Sequence, residues 1–187
     1  MLDPEVKGDK IKVLYRNLKD IKLEFFEIDL EILFSVCPFL GEEFQKLVYV
    51  QPIATLEKVV ENREDTEVTM IEVPEDIKSK NLVVKVTSGD NKSLLVYSNA
   101  QLVTSVDKEE GLVKVFSSEM KKLSKVYVKV FSRNSSGTVE FFKDGYTDIR
   151  GSFLYFDDKN SNYSNFSKFS VFVNHPELGK KTIFANL

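Results

Sequence analysis

The heptapeptide KVYVKVF, residues 125–131, alternates strictly. Val126, Val128 and Val130 take one face, and Tyr127, Lys129 and Phe131 take the other. A period of two marks a β-strand with one side toward a core, because successive side chains leave a pleated backbone on opposite sides. Such a strand needs neighbours for its backbone groups and a second layer for its apolar face.

The rest of the chain offers those neighbours. NLVVKVTSG (81–89) and SLLVYSNAQLVTSV (93–106) flank Gly-Asp-Asn and read as a hairpin. LVKVFSS (112–118) sets Leu112, Lys114 and Phe116 against Val113, Val115 and Ser117. Past the turn SRNSSG (132–137) come TVEFFK (138–143), GSFLYF (151–156), KFSVFVN (168–174) and TIFANL (182–187). Short β-rich runs divided by turn residues predict a sandwich or barrel.

Toward the N-terminus, FEIDLEILF (26–34) alternates Ile28, Leu30, Ile32 and Phe34 against Asp29 and Glu31, which predicts a strand. The alternative is a helix gathering Leu30, Leu33 and Phe34, and Pro38 ends either element. KLVYVQPI (46–53) and TEVTMIEVP (66–74) read as strands, with EKVVENREDTE (57–67) a charged connection between them. The expectation is an all-β chain of two packed β-sandwich domains joined at VDKEEG (106–111). Residues 1–20 form an N-terminal extension, 21–108 an Ig-like sandwich and 109–187 a second sandwich. The junction is too short for a flexible linker.

Composition closes several functional classes. A net charge of −3 gives no electrostatic ground for a nucleic-acid partner. No apolar run has the length of a membrane span, and MLDPEVKGDKIKV is charged from its third residue, unlike a secretory signal. The single cysteine, Cys37, allows no intrachain disulfide and leans toward a reducing, cytoplasmic compartment. The single histidine, His175, follows a strand in NHPELG. Cys37 in FSVCPFL reads as packing rather than as a nucleophile paired with it. One His and one Cys make a zinc site unexpected. Oligomeric state is not legible.

Two loops concentrate polar chemistry. DDKNSNYSN carries Asp158, Asn160 and Asn162 at the spacing of a calcium loop. Tyr163 stands where the EF-hand needs Gly and Phe169 where it needs Glu, so that motif is excluded. The expectation is a solvated loop with no metal and no cofactor. The alternative is a calcium- or carbohydrate-binding module using Asp158, Asn160, Asn162 and Tyr163, with Tyr146 and Phe166 beside them. The second loop, FFKDGYTDIRGSF (141–153), reads as a structural turn. Asp148 accepts backbone N–H groups ahead of it, Gly151 supplies the reversal, and Phe153 returns to the core.

The run from VKVFSS to GSFLY, with Val126 and Val128 followed by Thr147, Asp148, Gly151 and Phe153, resembles the transthyretin-like β-sandwiches. These are typified by the carboxypeptidase regulatory domain and the collagen-adhesin B-type repeats. The likeness covers roughly the last third of the chain. The part before it resembles an Ig-like or macroglobulin-type domain. The resemblance implies a non-catalytic interaction or spacer module whose partners are proteins or other domains of a larger chain.

Overall fold

The computed structural model describes residues 1–39, 51–156 and 165–186. The chain divides into two units. The first holds Met1–Asp29 and Phe39–Asn99, and the second holds Leu30–Pro38 and Ala100–Leu187.

The first unit is built from β1 (Leu2–Lys7), β2 (Lys10–Tyr15), β3 (Asp20–Glu27), β4 (Ala54–Val59), β5 (Glu67–Glu72), β6 (Leu82–Ser88) and β7 (Asn91–Tyr97). They form two antiparallel sheets, β1-β2-β5 and β4-β3-β6-β7. Alternation fills the space between them. Ile11 and Val13 from β2 and Ile21, Leu23 and Phe25 from β3 are fully buried, together with Val84 and Val86 from β6.

The second unit holds β8 (Leu102–Asp107), β9 (Leu112–Ser117), β10 (Tyr127–Asn134), β11 (Val139–Tyr146), β12 (Ser152–Leu154), β13 (Phe166–His175) and β14 (Gly179–Asn186). Its sheets run β8-β9-β12 and β11-β10-β13-β14. This is the strand order of the first unit displaced by seven, so the chain repeats a topology without repeating a sequence. Val126, Val128 and Val130 are fully buried, as their alternation requires, beside Phe169, Val171 and Val173.

The fold is nearly all-β in two sandwiches, as the strand pattern predicts. The division of the chain differs from the expected one. Residues 1–20 are no extension, because β1 and β2 make most of one sheet and Ile11, Val13 and Tyr15 are core. The polar, intermediate-burial β1 hides this in sequence. VDKEEG is no junction either. It is the β8–β9 hairpin turn, where Asp107 accepts the Glu110 N–H at 3.2 Å. The true boundary lies between Asn99 and Ala100, within the stretch expected as one strand.

The expected strand over 26–34 is also corrected. β3 ends at Glu27, and α1 (Leu30–Val36) follows. Asp29 directly before it is of a type favoured at helix N-termini, and Glu31 lies in the first turn, where the helix dipole favours an acid. Packing decides the outcome. A strand would bury Ile32 beside Leu30 and Phe34, whereas the helix buries Leu30 and Phe34, one turn apart, and leaves Ile32 66% exposed. Part of the expected charged connection, 57–59, is instead the end of β4. The strand expected over 46–53 falls largely outside the described residues.

Helix α1 covers one face of the four-stranded sheet of the second unit. Phe34 stacks on Phe172 at 5.3 Å and meets Phe131 edge-on at 5.5 Å. Lys180 pairs with Glu31 at 3.2 Å, Lys129 donates to Ser35 Oγ at 3.2 Å, and the buried Ser170 hydroxyl donates to the Pro38 carbonyl.

Candidate functional site: the turn at residues 147–153 and its groove

This turn joins β11 to β12 and so carries the chain from one sheet of the second unit to the other. Asp148 organises it. Its carboxylate accepts the N–H groups of Arg150 and Ser152, both at 2.9 Å, and takes the Arg150 guanidinium Nε at 2.9 Å. The backbones of Asp148 and Ser152 are also bonded, Asp148 N–H to Ser152 carbonyl. The Ser152 N–H, with the Arg150 side chain and N–H, holds the Asp148 carboxyl below its usual range.

Gly151 has φ +71°. A Cβ there would stand 2.8 Å from the Val115 carbonyl oxygen and 3.1 Å from the Leu123 nitrogen. Both the backbone angle and the close approach of β9 therefore demand glycine. Phe153 is 7% exposed and joins the core of the second unit, with Phe142 packed against the same cluster. Asp148 and Gly151 thus fall in the turn, and Phe153 follows it in β12. Asp158, Asn160, Asn162 and Tyr163 lie outside the described residues.

Thr147 does more than its place in the motif discloses. It is 4% exposed; its hydroxyl accepts the Val126 N–H at 3.0 Å and donates to the Leu123 carbonyl at 2.7 Å. Its own backbone exchanges bonds with Lys125 and Val126. The segment MKKLSK before β10 is thereby tied to the turn. Leu123 N–H also bonds the Val115 carbonyl, and Lys122 bridges to Phe116.

Beside the turn opens a groove of about 750 Å³. Lys114, Lys122, Lys143 and Arg150 line it together with Glu110 and Asp148, around Phe116, Tyr146, Phe153 and Leu154. Sequence reasoning missed the three lysines, because they come from β9, the segment before β10, and β11. Lys114 and Lys143 sit singly in their strands, Lys122 lies in the lysine-rich MKKLSK, and only the sheet pairing collects them.

His175 Nδ1 accepts the N–H groups of Glu177 and Leu178 at 3.1 and 3.2 Å, which makes it a turn cap. Among the described residues no three His, Cys, Asp or Glu side chains converge as a metal site, and no helix is long and apolar enough to cross a membrane.

Two antiparallel sandwiches, each of seven strands among the described residues, in this strand order define a tandem of immunoglobulin-like β domains. Residues 1–84 match the AbpF seventh immunoglobulin-like domain, and residues 101–185 match the AbpF C-terminal domain. Among curated proteins, the chain is 36% identical over 170 residues to actin-binding protein F of Dictyostelium discoideum. The match takes in 90% of this chain and 7% of that protein's length. Among solved structures, a fragment of native alpha-2-macroglobulin from Escherichia coli spanning domains NIE-MG1 superposes with a TM-score of 0.57. Its identity is 13%, over 95% of this chain and 88% of that one. At that identity the likeness concerns the fold alone.

Proposed function

We propose that this chain is a non-catalytic pair of immunoglobulin-like domains that binds protein, as a stretch of a longer polypeptide. The observation that carries this reading is the order of the matches. Two successive domains align with the seventh immunoglobulin-like and the C-terminal domains of AbpF. The relative's name records actin binding, which makes filamentous actin the first partner to test. The site's chemistry supports binding over turnover. Asp148 spends its carboxylate on the turn, and the one imidazole caps another.

Within this reading the second domain is a transthyretin-like variant of the sandwich, supported by the turn that Thr147, Asp148, Gly151 and Phe153 build. Their role is structural, and the binding surface is the groove beside them. Co-sedimentation of the purified chain with actin filaments tests the reading. The chain is expected in the pellet, and a chain that stays in the supernatant at every filament concentration counts against it.

A further inference from the structure

The groove carries chemistry that the stability of the turn does not require. Four cations line it against two acids, on a chain whose net charge is −3. Both acids are already answered: Glu110 lies 3.9 Å from Lys114, which also meets Asp107 at 3.2 Å, and Asp148 lies 2.9 Å from Arg150. Lys122 is exposed and makes no ion pair among the described residues. Lys143 donates to the Leu154 carbonyl at 2.6 Å and lies 5.4 Å over the Phe153 ring, which fixes its position. Among the described residues, Lys122 and Lys143 are therefore the groove's cations without a carboxylate partner.

Its apolar surfaces alternate with those cations. Tyr146 is 66% exposed and Leu154 44%, which leaves apolar surface available beside the cations. The walls are also pre-organised. Lys122 is held at its backbone by the bridge to Phe116, and its neighbour Leu123 by the bond to Val115. A rigid groove with cations beside apolar faces suits an extended chain carrying carboxylates and a large apolar side chain. A nucleic acid is disfavoured, since a phosphate backbone needs an extended positive track and the surrounding chain is net acidic.

We propose that this groove binds an extended acidic peptide segment of a protein partner. Its carboxylates meet Lys122, Lys143 and Arg150, and an apolar side chain lies against Tyr146 and Leu154. This rests on the protein-binding reading above. The test titrates the 15N-labelled full chain with acetylated, amidated Glu-Asp-Phe-Glu-Asp. Shifts are expected at Lys114, Lys122, Lys143, Tyr146, Arg150 and Leu154. Lys122→Glu should weaken binding about tenfold, while Lys92→Glu, on the first unit, should not. The proposal falls if shifts map elsewhere, if Lys122→Glu binds as the parent does, or if a short oligothymidylate binds more tightly than the peptide. Co-sedimentation separates the two readings. A chain that pellets with filaments equally well with Lys122→Glu, and binds no peptide, loses the groove but keeps the protein-binding function. A chain that binds the peptide in the groove without pelleting keeps the groove and loses actin as its partner.

Discussion

Gly151 is where backbone geometry and packing make the same demand. With φ +71° and a Val115 oxygen 2.8 Å from any added Cβ, Gly151→Val forces strain and moves β9 away from the turn. The cost expected is about 3 kcal/mol in denaturant unfolding. Thr147→Val keeps the shape and removes the hydroxyl, leaving the Val126 N–H and Leu123 carbonyl without their side-chain partner. A loss of about 2 kcal/mol is expected, read from the same unfolding curves. Asp148 gives a pH signature. Its folded pKa lies below its unfolded value, so its contribution is present above the unfolded pKa, near 3.8, and fades as pH falls through the folded one. Melting temperatures of the parent and of Asp148→Ala should differ at pH 7 and converge in acid below that value. A gap that widened in acid would contradict this account.

At the scale of elements, the strands announce themselves and the helix does not. KVYVKVF is legible because its valines answer to one core. FEIDLEILF contains both periods, and only tertiary contact chooses between them. The rings of Phe131 and Phe172 offer Phe34 a seat that a strand cannot fill. Removing that seat's occupant tests the point. Phe34→Ala should cost about 3 kcal/mol, as for other large-to-small core changes. Amides of β10 and β13 should exchange faster with solvent, while those of β2 and β3 should not. The residues of the turn could be named from sequence for a different reason. Asp148, Gly151 and Phe153 act within a few residues of each other, so local rules reach them. The lysines of the groove act through pairing between strands distant in sequence, which no local pattern encodes.

For the whole molecule, the misplaced boundary has the same physical root. VDKEEG carries more charge than SNAQ, yet the first is a hairpin turn inside a domain and the second ends one. Charge marks exposure, and hairpins are as exposed as linkers. The second unit also takes in Leu30–Pro38, so residues 100–187 alone lack the helix that covers Phe131 and Phe172. That fragment should melt below the second unit of the intact chain and bind an apolar dye, by differential scanning calorimetry and dye fluorescence. The central proposal is that the tandem is a non-catalytic module that binds actin filaments. A binding isotherm of the intact chain against rising actin-filament concentration tests it most directly. The account predicts a saturable fraction in the pellet. A fraction that never rises above the filament-free control would contradict it.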